Sequence, residues 1–302
     1  MGLCGCPSLA QSICGSSTPF TILHYTGTSG FDHNTRSVSA TLFSEIGANE
    51  NFMIVDTDQT DIFSDIDSLM TFAAVVFSNT SGNSLFNATE QQNFQNYINS
   101  GKGFLGIHAA TDTYRTGWAF YNELVGGIVQ TNPNHTSQNH VDTMRHRAIH
   151  PILNGIPDPW VKQEEYYYWD LNGGMVDTVN FTTALRVDRT GSQSYDRSRP
   201  ITWFRRFNSG ARSFYTALGH KGSNYTDPTN DFRRLVRNGI CWVAKASDYT
   251  GEVNPGLNMI NDLFIGDENS GVIIKSNDGS CWRLIVDNAG GLSTSPVECP
   301  EE

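Results

Sequence analysis

The chain has 302 residues, with 20 Lys and Arg against 31 Asp and Glu, and a formal net charge of -11. This length can bury a sizeable core as one large domain, or as one domain with a small appendage. The acidic surface would repel nucleic acids and anionic membranes, and no apolar stretch is long enough to span a bilayer. We therefore expect a small, neutral or weakly charged substrate. The sequence leaves open whether the protein forms a homo-oligomer.

The first 19 residues are rich in Cys, Ser and Gly and lack the basic and apolar regions of an intact signal peptide. Five of the six cysteines lie near the chain ends, at Cys4, Cys6, Cys14, Cys281 and Cys299. Cysteines confined to the ends are typical of disulfide staples in an oxidising compartment. We therefore expect an exported bacterial protein. A zinc site built from the three N-terminal cysteines is the alternative.

The first half of the chain alternates predicted strands with predicted helices. The strands are 20–26, 52–55, 73–77 and 104–107, and the helices are 34–47, 89–99 and 118–125. Asn34 is the predicted N-cap of the first helix and Gly47 its end, and 56–67 is a predicted loop with a turn of helix. Three strand-helix cycles indicate an α/β fold with a doubly wound, mostly parallel sheet.

The second half loses this regularity. Residues 130–151 are polar and hold four histidines, whereas 163–169 are predicted to form an aromatic strand that starts with a carboxylate pair. Further predicted elements are strands 182–187, 200–207 and 212–217 and helix 229–244. Beyond a linker, three short strands at 272–275, 280–286 and 291–297 would form a small β extension, closed by a Cys281–Cys299 disulfide or tied to the N-terminal cysteines. The predicted boundaries are 1–19, 20–246 and 247–302.

Two histidines directly follow predicted strands. His108 follows the apolar run 104–107, with Asp112 one turn later, and His220 follows strand 212–217. In open α/β sheets, ligands bind in the crevice at the carboxyl ends of the strands. We therefore predict that both histidines face such a crevice. The alternative for His108 is a buried histidine that binds only a backbone carbonyl.

Residues 20–246 resemble the ThuA family of trehalose-utilisation proteins. The matching stretches are Thr28–His33, Gly103–Asp112, His150–Pro151, Glu164–Tyr167, Phe214–His220 and Asn238–Trp242. The resemblance implies a flavodoxin-like fold similar to class I glutamine amidotransferases. Those enzymes carry a nucleophilic Cys where this chain has His108, so glutamine hydrolysis is excluded. Cys241 lies inside a predicted helix and does not replace that thiol.

The candidate site combines imidazoles, carboxylates and a phenol. The predicted catalytic residues are His108, His220, Glu165, Asp112 and Tyr167, and the predicted substrate-binding residues are His33, Arg115 and Trp118. His33, His108 and His220 could also bind a divalent metal such as Zn²⁺. Metal-free proton transfer by a histidine that Glu165 orients is the alternative. Strand alternation would put Glu165 and Tyr167 on one face and send Tyr166 and Tyr168 to the core.

The resemblance implies a role in disaccharide catabolism, beside an oxidoreductase that makes 3-keto sugars. A base and an electrophile could then isomerise an oxidised glycoside or eliminate its glycosidic bond. Two other functions stay open at this point. One is a non-catalytic carbohydrate-binding or scaffold protein, and the other is a glycosidase that uses Asp112 and Glu165.

Overall fold

The computed structural model describes residues 14, 19–169, 176–244, 272–276, 278–286 and 290–298. The chain divides into two compact units, Met1–Gly251 and Glu252–Glu302. Within the described residues, none of the helices has the length and apolar character needed to cross a membrane. Cys4, Cys6, Cys299 and most of the predicted linker lie outside the described residues.

The first unit contains a nine-stranded mixed sheet in the order β2-β1-β3-β4-β9-β8-β7-β5-β6. Its strands are β1 Phe20–Tyr25, β2 Phe52–Thr57, β3 Ala74–Ser78, β4 Gly103–Ile107, β5 His140–His146, β6 Trp160–Glu164, β7 Thr182–Val187, β8 Arg199–Arg206 and β9 Arg212–Thr216. The first five strands in that order are parallel, and the others extend the sheet antiparallel. The parallel half has the flavodoxin-like strand order, which confirms the predicted fold class.

Helices cover both faces of the parallel half. They are α1 Arg36–Glu50, α2 Asp61–Ser64, α3 Ile66–Met70, α4 Ala88–Asn99, α5 Ala119–Val125, α6 Gly222–Thr226 and α7 Asp231–Val243. Tyr121 of α5 packs against Phe104, whereas Gly239 of α7 lies against Leu105. Neighbouring residues of a strand point to opposite faces, so α5 and α7 lie on opposite sides of β4. All residues of β3 and β4 are accordingly buried, as their apolar runs predict.

The second unit contains a separate antiparallel sheet in the order β10-β11-β12. Its strands are β10 Ile273–Lys275, β11 Cys281–Val286 and β12 Leu292–Val297, close to the predicted bounds. Cys281 is disulfide-bonded.

The first helix differs from its prediction at both ends. It begins at Arg36 after Thr35, and it ends at Glu50, followed by the C-cap Asn51 with a left-handed φ of 62°. Gly47 lies within the helix, where a Cβ would approach the Phe52 carbonyl oxygen to 2.4 Å. Gly47 is therefore required by close packing against β2 and does not end the helix.

The structure adds a strand to the polar segment 130–151 and shifts the predicted strand 163–169. The polar segment contains β5, which buries only Met144 and therefore shows no period-two pattern. The predicted aromatic strand is shifted, because β6 ends at Glu164 and the chain then leaves the sheet edge. Tyr166 and Tyr168 exchange backbone hydrogen bonds with the segment 130–136 instead. This crossing carries Glu165 and Tyr167 toward the end of β4.

A disulfide joins Cys14 to Cys241, across 227 positions of sequence. Cys241 lies on α7 and is buried, as predicted, and the bond ties the N-terminal segment to the last helix of the unit. The sequence reading did not pair these two residues. The bond also contradicts the alternative of a zinc site that includes Cys14, because a disulfide sulfur is not an available thiolate ligand.

Asn79 joins the ends of three strands at the edge where the two histidines lie. It follows β3 with a φ of 53°, and its Oδ1 accepts from Ala109 N at 3.3 Å. Its buried Nδ2 lies 2.8 Å from Thr35 Oγ1, 3.1 Å from the Gly219 carbonyl and 3.2 Å from the Tyr225 hydroxyl. The amide therefore holds the loops after β1, β4 and β9 in one arrangement.

We expect the Cys14→Ala/Cys241→Ala double variant to lose about 2–5 kcal/mol of unfolding free energy, because the bond closes a long loop in the unfolded chain. Urea unfolding followed by circular dichroism measures the change. An unchanged urea midpoint would show that the disulfide does not stabilise the domain.

We expect Asn79→Ala to lower the free energy of unfolding by about 1–3 kcal/mol, because it leaves several buried polar groups without partners. The matched control is Asn49→Ala on exposed α1 surface, where the amide only binds the Glu45 carbonyl, with an expected change within about 0.5 kcal/mol. Equal urea midpoints for the two variants would contradict a stabilising role of the Asn79 amide.

Candidate active site

His108 occupies a sharp turn at the carboxyl end of β4. Its φ is 46°, and it begins a short 3-10 helix that runs to Asp112. Non-glycine residues rarely adopt this left-handed conformation, which often occurs at functional sites. The ring is fully buried, and its Nδ1 donates to the Ala217 carbonyl at 2.7 Å. A carbonyl only accepts hydrogen bonds, so the neutral ring keeps its lone pair on Nε2.

Three ligand-type atoms meet beside this turn. His108 Nε2 lies 3.3 Å from His220 Nδ1 and 3.5 Å from Glu165 Oε1, and His220 Nδ1 lies 3.5 Å from the same carboxylate oxygen. These atoms form a nearly equilateral triangle. They come from the turn after β4, the β9–α6 loop and the segment after β6, which the fold brings to one edge of the sheet.

His33 completes the cluster from the loop after β1. Its ring centroid lies 4.9 Å from that of His108 and 5.2 Å from that of His220. Burial, reinforced by the neighbouring histidines, lowers the pKa of His33 to about 2, so this ring is neutral at physiological pH. Its Nδ1 is buried and has no hydrogen-bond partner among the described residues. One ligand atom from each of His33, His108, Glu165 and His220 lies within 4.8 Å of the others.

The two neighbouring glutamates have different roles. Burial favours a higher pKa for Glu165, but the neighbouring His108, His220 and His135 outweigh it and lower the pKa. Glu165 therefore remains a carboxylate. Glu164 points elsewhere, where its Oε2 accepts from Gly219 N at 3.2 Å and from Asn224 Nδ2 at 2.8 Å. Glu164 thus fixes the loop that carries His220.

His135 is a site residue that the sequence reading missed. Its Nδ1 donates to the Thr136 carbonyl at 2.6 Å and lies 3.3 Å from Glu165 Oε2. The ring is 30% exposed, and its Nε2 is then the free acceptor. No local pattern distinguishes His135 from the other histidines of that polar segment. Only the bridge between His135 and Tyr167 brings it to the site.

Tyr167, Asp112 and Arg115 surround the cluster. The Tyr167 ring stacks on His108 with centroids 4.3 Å apart, and burial raises the pKa of its phenol well above the usual value. Asp112 forms an ion pair with Arg115, and both side chains remain partly exposed. Burial raises the pKa of Asp112, although the Arg115 charge acts in the opposite direction.

Trp118 lies away from the cluster. Its indole is 7% exposed and packs against Tyr114 and Tyr121 in the aromatic core. The predicted contact between Trp118 and a substrate therefore has no support in this packing. Tyr166 and Tyr168 are buried as predicted, with their hydroxyls bound to the Lys162 carbonyl and to Asp196.

A second group has the connectivity of a serine-hydrolase triad. Ser39 Oγ lies 2.9 Å from His24 Nε2, and His24 Nδ1 lies 2.7 Å from Asp56 Oδ1. Ser39 and His24 are fully buried, so a substrate cannot reach the hydroxyl. Ser39 also donates to the Arg36 carbonyl at 3.1 Å, and the group links α1 to β1 and β2. We therefore assign it a structural role.

The His33, His108, Glu165 and His220 set suits a divalent cation. Four ligands about 2.1 Å from a zinc ion at the corners of a tetrahedron lie about 3.4 Å apart, close to the edges of the observed triangle. The bond from His108 to the Ala217 carbonyl also fixes ring orientation, as outer partners of metal-binding histidines commonly do.

The chain was compared with known families, curated proteins and solved structures. Two ThuA-like proteins, from Bacteroides uniformis ATCC 8492 and Parabacteroides merdae ATCC 43184, are each 18% identical, with TM-scores of 0.60 and 0.57. The alignments cover 76% of this chain in both cases, and 93% and 91% of the respective relatives. Cytoplasmic protein STM3548 from Salmonella typhimurium is 13% identical over 74% of this chain and 98% of its own, with a TM-score of 0.51.

These structural matches show the fold. The comparison with curated proteins finds no match. The family described as ThuA, trehalose utilisation, matches residues 21–243, which is most of the chain and contains all the cluster residues described above. The chain therefore belongs to the ThuA family.

Proposed function

We propose that this protein is an enzyme of carbohydrate catabolism that acts on a keto-sugar through the His33, His108, Glu165 and His220 cluster. The observation that carries the proposal is the convergence of their four ligand atoms within 4.8 Å. Side chains from four separate segments meet there in a largely buried position. Family membership supports a carbohydrate as the substrate class.

We further propose that the cluster holds a divalent cation such as Zn²⁺. His33 supplies a neutral ring with an unpartnered buried nitrogen, His108 presents Nε2, and Glu165 supplies the negative charge. A cation bound there would polarise the ketone oxygen of the substrate. The protein's own contribution is to fix these ligands and to exclude water from the buried side.

His135 is the residue best placed to move a proton. Its Nδ1 donates to the Thr136 carbonyl and lies 3.3 Å from Glu165 Oε2, which leaves Nε2 as the free acceptor. A half-exposed ring with a free nitrogen beside a buried carboxylate is a suitable general base. We assign the role of proton donor to Asp112, whose pKa burial raises.

These roles fit elimination from a 3-keto-glycoside. The base removes the proton at C2, which the C3 ketone acidifies, and negative charge develops on the ketone oxygen. The electron pair then forms the C1–C2 double bond while the C1–O bond breaks. The leaving oxygen takes a proton from the acid, so the products are an unsaturated keto-sugar and an alcohol.

The two other functions fit the site less well. A purely binding protein has no need for several buried titratable groups with displaced pKa values, which are typical of active sites. A glycosidase would use Glu165 as a free nucleophile or base, but three histidines contact its carboxylate.

We also propose that the protein is exported. The Cys14–Cys241 bond and the disulfide-bonded Cys281 support this location, because disulfides persist mainly in oxidising compartments.

We expect the purified protein to bind one Zn²⁺ per chain, and His108→Ala and Glu165→Gln to weaken the affinity by more than about 100-fold. Titration against a chromogenic chelator, with metal analysis by mass spectrometry, gives the affinity and stoichiometry. The matched control is His140→Ala, because His140 pairs with Asp142 outside the cluster. Equal zinc affinity in all variants would contradict the metal site.

We expect 3-ketotrehalose to be converted by the wild type and His135→Gln to lower kcat by about 100-fold or more, because proton transfer then loses its base. NMR of the sugar follows the reaction, and His146→Gln, which alters a histidine of β5, is the control. No turnover of any keto-sugar, with or without added zinc, would overturn the proposed function.

A further inference from the structure

A cavity of about 260 Å³ lies in the antiparallel half of the first unit, separate from the histidine cluster. Three arginines, Arg186, Arg197 and Arg199, contribute to its lining, and none of the described residues of the lining is acidic. The indole of Trp169 forms part of the wall and meets Tyr167 edge-on, with centroids 6.2 Å apart. One layer of aromatic side chains therefore separates the cavity from the rings around His108.

Of the three arginines, Arg199 is held by contacts with the surrounding segments of the protein. Its Nε donates to the Tyr167 carbonyl at 2.6 Å, and Nη1 donates to Thr190 Oγ1 at 3.0 Å. Its guanidinium also stacks over the Tyr168 ring at 4.5 Å, and Asp196 lies near enough to offset its charge. Arg199 therefore shapes the cavity wall and leaves the other two arginines as the uncompensated charges.

Arg186 and Arg197 have no acidic partner within the described part of the chain. Arg186 donates through Nε and Nη2 to the hydroxyl and carbonyl of Ser198, which leaves further N–H groups unused. Burial, together with the positive charges of Arg147 and Arg197, lowers the pKa of Arg186. Neighbouring like charges repel one another, and an anion bound between them relieves that repulsion. The arrangement thus favours an anionic ligand, and guanidinium groups bind carboxylates well.

The other lining groups indicate the rest of the ligand. The rings of Trp169 and Tyr195 offer apolar surface, and the hydroxyl of Thr178 offers a hydrogen bond. Aromatic rings with a few polar groups are typical of small-molecule sites. The cavity has room for one sugar ring.

We propose that this cavity binds a single sugar ring that carries a carboxylate, such as a uronate. Arg186 and Arg197 bind the carboxylate, and the aromatic wall packs against the ring. The site is independent of the histidine cluster and of its proposed chemistry.

Isothermal titration with glucuronate, glucose and inorganic phosphate tests the proposal. We expect glucuronate to bind at least about tenfold more tightly than glucose, which has the same ring without the charge, and than phosphate, which lacks the ring. Affinity should fall as salt concentration rises. Equal binding of glucose would overturn the role of the carboxylate, and equal binding of phosphate would overturn the assignment of a sugar.

Variants of the cavity arginines show whether glucuronate binds in this cavity or to positive charges elsewhere on the protein. Arg186→Gln/Arg197→Gln and Arg197→Gln alone should weaken glucuronate binding, by about tenfold or more for the double variant. Arg197→Gln changes an exposed side chain, so we expect this variant to keep the stability of the wild type. Arg206→Gln, at the exposed end of β8, is the matched control and should bind as the wild type does. Full binding by the double variant, or loss of binding in His108→Ala, would overturn the proposed location.

Discussion

The left-handed turn at His108 is the constraint on which the site depends. The turn ends β4 and places the imidazole at the carboxyl edge of the sheet. There the Ala217 carbonyl accepts a hydrogen bond from Nδ1 and thereby fixes the tautomer. Ala217 directly follows β9, the neighbouring parallel strand, so one hydrogen bond couples the orientation of the ring to the register of the sheet. The remaining members of the cluster then need only reach Nε2 of this ring.

The cluster is stabilised by buried polar residues that take no part in it. Asn79 connects the loops that follow several strands, and Glu164 binds the loop of His220. Such groups are costly to bury alone, but here each has partners on two or more segments. The histidines can therefore lie close together, because their supporting loops are fixed before any ligand binds. This preorganisation is consistent with catalysis at a rigid edge of the sheet.

The parallel half of the fold could be predicted from the sequence because its strands are short apolar runs with helices between them. The histidines at strand ends were predictable for the same reason, since topology brings carboxyl ends to one edge. His135 and the shifted strand β6 were not predictable, because both depend on how residues 165–169 cross over to the segment 130–136. The Cys14–Cys241 pairing was not predictable either, because the sequence spacing of cysteines does not show which of them form a disulfide.

The bond between Cys14 and α7 has a consequence for the protein's resistance to proteolysis. Proteases cut first at exposed loop tips, and a single cut between the two cysteines would leave both fragments covalently attached. The sheet between them draws strands from both fragments, so a nicked molecule would keep its neighbours at high effective concentration and could remain assembled.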